Sequence, residues 1–284
     1  MIQMVGGTLF LLGSSFFFAI MGMMIKLLDG RIPLFQLSFL RSSLALVPLF
    51  FLMKRLGVTF RSPQWPLLSL RGIWGLLAML FYFWALANIP LAPAVMLNYS
   101  SPIFTTLFAS CLLGEKVTRV GIICLTVALL GLVCILKPFD GRPEWGYFLA
   151  LGAGIFSGAA FTTVKHLTVR EPPWRIVWYY NFIASLGALP VAVSNWVWRD
   201  VPDLLLLLAI SLAGTTGQIF LTEGFLRCSA SEGSVVTLSI VVFTSLGGWF
   251  FWGEVPDFLQ FLGMMAVLGG ILGITKSKEL GIIK

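Results

Sequence analysis

Two charged residues, Arg41 and Glu223, lie inside long apolar stretches, where an ionised side chain is costly unless it has a partner or reaches water. Arg41 lies roughly eight residues inside its stretch, which is about 12 Å at ~1.5 Å per residue of helix. Glu223 is the only acidic residue well inside such a stretch. The two can form an ion pair. Alternatively, Arg41 offers its planar guanidinium to a substrate carboxylate, while Glu223 receives an amine or a coupling proton.

Uncharged polar residues recur at helical spacing in three other apolar stretches. They are Asn98, Ser101 and Thr105, then Thr215, Gln218 and Thr222, then Ser234, Thr237 and Thr244. Such residues line a wet cavity or join helices through hydrogen bonds. Both roles stay open for Asn98 and Gln218, whose amides cost most to desolvate. The hydroxyl residues favour helix joining, with Ser101 and Thr237 kept as cavity candidates.

Five aromatic residues lie deeper in the apolar stretches than the tryptophans at their ends. They are Trp74, Tyr82, Trp84, Tyr99 and Trp178. Each can give a cavity an apolar wall with one hydrogen-bond donor, which suits amphipathic metabolites. Packing among helices is the alternative for each of them.

The residues needed for enzymatic or metal chemistry are missing from the sequence. The single histidine, His166, stands among Lys165 and Arg170 at the end of an apolar stretch, and no carboxylate pair, HExxH motif or Gly-rich phosphate loop occurs. The four cysteines have no CxxC spacing and are expected to act as small hydrophobic residues. We therefore expect no catalytic residue, no metal site and no cofactor.

The composition requires a lipid environment. The chain is 58% hydrophobic and 11% charged, with a mean hydropathy of +0.95, against ~25% charge in soluble domains. A membrane-spanning helix needs ~20 apolar residues. This predicts an all-α integral membrane protein with ten transmembrane helices, at about 4–27, 33–53, 66–88, 90–112, 117–136, 145–166, 173–194, 204–226, 230–252 and 257–276.

The net charge of +7 indicates membrane orientation and not a nucleic-acid partner. If both termini and the even-numbered loops share one side, that side carries twelve basic residues and the other side carries five, and Arg41 and Arg71 complete the nineteen. Arg71 opens the third stretch on the first of these sides and is expected to be a headgroup anchor. The positive-inside rule then places both termini in the cytoplasm, in an inner or plasma membrane.

The sequence repeats itself at an offset of 139 residues (254 − 115), without a gap. Gly114-Glu115 aligns with Gly253-Glu254, Lys26 with Lys165, and Gly75 with Gly214. We therefore predict two five-helix units, 1–138 and 139–284. An odd number of helices per unit inverts the second copy in the membrane. Glu115 and Glu254 then mark opposite faces, either as interfacial residues bonded to nearby amides or as latches at the two mouths of a pathway.

Two stretches resemble the two EamA domains of the drug/metabolite transporter superfamily. They are RGIWGLLAMLFYFWALANIPLAPAVMLNYSSPIFTTLFASCLLGEKV at 71–117 and FLRCSASEGSVVTLSIVVFTSLGGWFFWGEV at 225–255. The resemblance implies a ten-helix carrier with cytoplasmic termini and a central cavity that moves small metabolites. One departure is Ile240-Val241, where the first copy has Ser101-Pro102, so the two helices are expected to bend differently.

These observations predict a secondary carrier that works by alternating access. An amino acid or related amine-carboxylate compound is the leading substrate hypothesis, because Arg41 and Glu223 offer opposite charges. The alternatives are a carrier for a nucleoside-like or cofactor solute and a channel or scaffold without a transport cycle. Coupling to protons or to exchange stays open.

Overall fold

The computed structural model describes residues 2–28, 30–89, 91–136, 145–194, 196–198 and 200–279. Every regular element in these ranges is an α-helix. The helices are α1 (Ile2–Leu27), α2 (Leu34–Arg55), α3 (Trp65–Asn88), α4 (Leu91–Asn98), α5 (Ser101–Leu113), α6 (Arg119–Leu136), α7 (Trp145–Thr168), α8 (Pro173–Ser194), α9 (Val201–Arg227), α10 (Ala230–Val236), α11 (Ser239–Trp252) and α12 (Phe258–Glu279).

The helices agree with the predicted spans to within a few residues. Eight apolar spans are long enough to cross a membrane when α4–α5 and α10–α11 each count as one, and the two shorter apolar helices are α6 and α12. The predicted all-α membrane fold is therefore confirmed. The main difference is that the fourth and ninth spans are each interrupted at their middle.

The two interruptions fall at equivalent points of the repeat. α4 ends at Asn98 and α10 is capped by its equivalent, Thr237 (98 + 139 = 237). Each break contains a tight turn with a bond to the third residue back, from Ser100 N to Leu97 O and from Leu238 N to Val235 O. Such turns within a longer helix allow it to bend.

A hydroxyl group occurs at both breaks, whereas a proline follows only the first. Ser100 Oγ donates to Leu97 O at 2.6 Å, and Thr237 Oγ1 donates to Ser234 O at 2.6 Å. These bonds compete with the regular helical ladder. The substitution of Ile240-Val241 for Ser101-Pro102 therefore does not remove the break from the second half.

The two halves pack into each other instead of side by side. The most extensive helix pairs all join one half to the other: α1 with α9, α3 with α7, α2 with α8, and α6 with α12. Gly13 packs against Phe220 in the first pair, and their equivalents Gly152 and Phe81 pack together in the second. Such reciprocal contacts are those of a two-fold axis between the halves.

The predicted boundary between the units, at residues 138 and 139, lies outside the described residues. The division into 1–138 and 139–284 stays a prediction.

Close packing of α6 on α12 allows a test of the fold. A Cβ atom at Gly270 would lie 2.7 Å from the Cys124 carbonyl oxygen, while one at the neighbouring Gly269 would meet nothing within 4 Å. We expect Gly270→Ala to lower the free energy of unfolding by about 1–3 kcal/mol. Gly269→Ala should leave it unchanged or slightly raised. Thermal unfolding of the purified protein in detergent measures both, and equal effects of the two changes would contradict the helix packing.

Candidate functional site

A cavity of about 210 Å³ lies between the halves, where both interrupted helices pass each other. Common ligand pockets have volumes of ~300–1,000 Å³. This cavity is smaller, so without further opening it has room only for a small solute. Four predicted site residues, Asn98, Tyr99, Ser101 and Thr237, line it, and α1, α7 and α9 supply the remaining walls. The site therefore lies at the interface of the two halves, near the middle of the spans.

The cavity is lined by hydroxyl, amide and aromatic groups, and none of its lining residues is ionisable at neutral pH. Ser14 Oγ donates to Gly217 O at 2.8 Å, and Thr237 Oγ1 donates to Ser234 O of its own helix. The donors of these two hydroxyls are therefore used in hydrogen bonds within the protein. Asn98 makes no hydrogen bond through its side chain within the described part of the chain. Its amide is therefore free to bind a solute.

Two arginines meet one tyrosine beside this cavity. Arg41 on α2 donates from Nη2 to the Tyr180 hydroxyl at 3.1 Å, and the Arg71 guanidinium on α3 lies 4.1 Å from the centre of the Tyr180 ring. Arg71 Nη2 also donates to Gln218 Oε1 on α9 at 3.1 Å. We call Arg41, Arg71, Tyr180 and Gln218 the arginine cluster. Arg41 and Tyr180 are themselves repeat equivalents (41 + 139 = 180).

Two equivalent glycines make room for the guanidinium groups. A Cβ atom at Gly75 would lie 2.6 Å from Arg71 Nη1, and one at Gly214 would lie 3.3 Å from Arg41 Nη1. A Cβ atom at Gly75 would also lie 2.7 Å from the Tyr180 ring, and one at Gly214 would lie 2.8 Å from Met21 Sδ, so glycine at both positions leaves room for the arginines and their neighbours. In the sequence, Gly75 and Gly214 stand out only as equivalent positions of the repeat.

Met21 separates the arginine cluster from the cavity. It lines the cavity, and its sulfur lies 3.8 Å from Arg41 Nη1. Methionine is flexible and unbranched, so it can move aside for a ligand. Arg41 is therefore adjacent to the cavity without lining it.

Two sequence-based assignments of charged residues need correction. The Arg41–Glu223 pair does not form, because Glu223 bonds to Arg227 one turn along α9. The prediction that Arg71 is a headgroup anchor is wrong, since its side chain is 3% exposed. Position near a helix start suggested an interface, but α8 covers this face of α3 and buries the guanidinium.

The remaining aromatic candidates do not line the central cavity. Trp178 stacks on Phe182 at 5.1 Å, and Tyr82 packs in a cluster around Ala85 and Ile89. Trp74 lines a larger cavity of about 490 Å³ between α3, α5 and α7. That cavity is mainly apolar, its Thr162 and Thr163 hydroxyls bond to their own helix, and His166 also lines it. One imidazole beside two bonded hydroxyls offers a solute few polar groups.

The two Gly-Glu motifs make different contacts at the two ends of the bundle. The Glu115 carboxylate accepts bonds from Ala230 N, Ser231 N and Ser231 Oγ, at 2.7, 3.2 and 2.9 Å, where α10 begins. Glu254 instead pairs with Lys26 at 2.5 Å, and both side chains are about half exposed, at 59% and 45%. We refer to these as the Glu115 end and the Glu254 end.

Helix contacts show the same asymmetry. At the Glu115 end, α5 packs on α10 and Lys165 Nζ donates to Phe225 O of α9 at 2.9 Å. The equivalent helices at the Glu254 end, α4 and α11, make no comparable contact among the described residues. The broken spans are therefore joined at the Glu115 end and parted at the Glu254 end.

A cavity with hydroxyl and amide groups in its mainly apolar wall, between two interlocked helical repeats in an apolar bundle, is the arrangement of a multi-pass membrane transporter for small molecules. The chain belongs to the EamA-like transporter family, whose profile matches residues 5–137 and 144–276. The family and its relatives are transporters and not enzymes.

Individual relatives match over nearly the whole chain. The pseudopaline exporter CntI of Pseudomonas aeruginosa is 33% identical over 279 residues, which cover 96% of this chain and 97% of that protein. The S-adenosylmethionine uptake transporter of Rickettsia felis is 25% identical and covers 90% and 87% of the two chains. A crystal structure at 22% identity has a TM-score of 0.84 over 96% of this chain and 98% of its own, which supports the fold.

Proposed function

We propose that the protein is a secondary carrier that works by alternating access through the central cavity. The observation that carries the proposal is that repeat-related helices make unequal contacts at the two ends of the bundle. Exchanging the contacts of the two halves would open the Glu115 end and close the Glu254 end. Inverted repeats around a site near the membrane midplane are the usual basis of such a cycle.

Repeat equivalence also supports a latch role for the two glutamates. In the exchanged conformation, Glu254 would accept bonds at the start of α4, since Ala230 and Ser231 correspond to positions 91 and 92. Glu115 would then face Lys165, as Glu254 now faces Lys26. Each glutamate thus closes its own end in one conformation and is released in the other.

We place the protein in the inner or plasma membrane with both termini in the cytoplasm, on the basis of its basic residues. In this orientation the Glu115 end is cytoplasmic and the conformation is open to the outside. Relatives named as an exporter and as an uptake transporter occur together, so the direction of transport stays open.

An amino acid or related amine-carboxylate compound is our substrate proposal. Glu223 pairs with Arg227 and does not line the cavity, so it offers no direct site for an amine. The carboxylate part of the proposal is supported by Arg41 next to the cavity. Because no cavity-lining residue is acidic, exchange is the coupling that we favour over a proton site in the cavity.

A carrier for a nucleoside-like or cofactor solute is the second candidate. Phe18, Tyr99 and Phe161 line the cavity and offer faces on which a flat ring can stack. Relatives described as S-adenosylmethionine uptake transporters favour the same candidate. Such a solute needs a cavity wider than the one observed.

Counterflow in liposomes tests the transport cycle. Vesicles containing the protein are preloaded with an amino acid, a dicarboxylate, a nucleoside or S-adenosylmethionine, and uptake of the same labelled solute is followed. We expect preloading to accelerate uptake of at least one of these classes, because exchange avoids the return of an empty carrier. A channel would show uptake that preloading does not accelerate, and a scaffold would show none. Either result across the panel would overturn the carrier proposal.

A further inference from the structure

The arginine cluster holds two positive charges without a counter-charge: Arg71 is buried and Arg41 is partly buried. Among the described residues, no carboxylate forms an ion pair with Arg41 or Arg71. Glu223, the acid nearest along α9, bonds to Arg227. An ionised group is taken out of water at great cost unless it is paired. The ligand-free protein is therefore electrostatically incomplete here.

Arg71 also has an unsatisfied donor. Its side chain is 3% exposed, Nη2 is bonded to Gln218, and Nη1 lies against Gly75, but Nε has no hydrogen-bond partner. A buried donor without a partner costs about 1–3 kcal/mol, so its presence needs a reason. An acceptor that arrives with a ligand supplies one.

The surroundings of the arginines form a built site. Tyr180 contacts both guanidinium groups, Gln218 orients Arg71, and the equivalent glycines Gly75 and Gly214 admit one guanidinium each. Four helices contribute these groups. The glycine next to each arginine indicates that the helices are shaped to hold these two charges.

Met21 lines the central cavity and contacts Arg41. Its side chain is flexible and unbranched, so a movement of Met21 is the shortest way for a solute in the cavity to reach Arg41. Arg71 lies next to Arg41 across the shared contact with Tyr180.

We propose that the arginine cluster binds the two acid groups of a dicarboxylate or larger polycarboxylate substrate. Two carboxylates neutralise two guanidinium groups, whereas one carboxylate leaves one of the two positive charges unpaired. Carboxylate oxygens also fit the planar donors of arginine. The proposal rests on the carrier function above and narrows its substrate class from amine-carboxylates to compounds with at least two acid groups.

Thermal unfolding with matched ligands tests the proposal. The probes are succinate, aspartate and glutamate, each compared with its monoamide and diamide. We expect the diacids to raise the unfolding temperature of the wild-type protein, the monoamides to raise it less, and the diamides not at all. Equal effects of diacids and diamides would overturn the proposal, as would no effect of any diacid.

Substitution of Arg71 by methionine separates a ligand role from a structural role. Arg71→Met removes the uncompensated charge while keeping a long side chain, so the ligand-free protein should unfold at the same or a higher temperature. Its affinity for the diacids should fall about 10- to 100-fold, to the level of the monoamides. A lower unfolding temperature with an unchanged diacid response would show that Arg71 is structural and would refute its binding role.

Two further variants keep the comparison clean. Gly75→Ala crowds Arg71 Nη1 and the Tyr180 ring without removing a charge and should weaken diacid binding by a smaller factor. Arg61→Gln, at an exposed arginine just before α3, should leave binding unchanged. The outcomes also separate this proposal from the carrier proposal. Diacid binding without counterflow defeats only the carrier, and counterflow of neutral solutes without a diacid preference defeats only the polycarboxylate site.

Discussion

Replacing Glu115 with glutamine is expected to open the end of the molecule that is closed in this structure. The ionised carboxylate accepts three hydrogen bonds at the start of α10, and an amide replaces it with a weaker acceptor. Hydrogen bonds to charged groups contribute about 1.5–3 kcal/mol, so the ratio of the two conformations should change about 10- to 100-fold.

Labelling of a cysteine in the cavity measures this shift. Ser101, which lines the cavity and is 4% exposed, is changed to cysteine in a protein whose four native cysteines are replaced by serine. With Glu115→Gln, a membrane-impermeant maleimide should react faster from the Glu115 side and more slowly from the Glu254 side.

Glu254→Gln is the matched control for the latch. Glu254 pairs with Lys26 between exposed side chains, and such pairs contribute about 0–1 kcal/mol. The Glu254 variant should therefore change labelling little, or in the opposite direction to the Glu115 variant. Unchanged labelling in the Glu115 variant, or identical shifts in both, would rule out alternating latches.

Arg41→Gln should reduce transport at least ~100-fold while leaving the fold intact. Arg41 is the guanidinium nearest the cavity, and glutamine can neither neutralise a carboxylate nor offer it a forked donor. Arg41→Lys keeps the charge but loses the forked pair of donors, so its transport rate should lie between those of the wild type and Arg41→Gln. Tyr180→Phe removes only the hydroxyl that holds Arg41, which should cost about 10-fold or less.

Counterflow of the solute that gives the strongest wild-type exchange measures the Arg41 series. Arg55→Gln provides the control, because Arg55 is an exposed arginine at the end of the same helix, α2. A counterflow rate equal to that of the wild type in Arg41→Gln would show that Arg41 does not bind the substrate. Equal losses in Arg41→Gln and Arg55→Gln would point to a general effect of charge on the protein.

Local pattern was enough to predict the spans and the repeat. Apolar length alone gives membrane helices, and the register of Gly75 with Gly214 and of Glu115 with Glu254 required no knowledge of the fold. The same repeat register also indicates part of the arginine cluster. Arg41 aligns with Tyr180, and Gly75 lies one helical turn after Arg71.

Partners across the bundle could not be predicted in the same way. Glu223 was matched with Arg41 because no other acid lies well inside a span, yet Arg227 is four residues away on the same helix and meets it directly. The position of Arg71 along α3 alone predicts a residue near the membrane surface. Its burial depends on α8, which is distant in sequence.

The sequence by itself determined that the chain is a membrane protein of ten helical spans, duplicated at a fixed offset, because hydropathy and repetition are properties of the linear chain. Only the tertiary structure decided which side chains meet at the centre and which end is closed. The reason is that both depend on packing and charge pairing across the halves, to which residues far apart in the chain contribute.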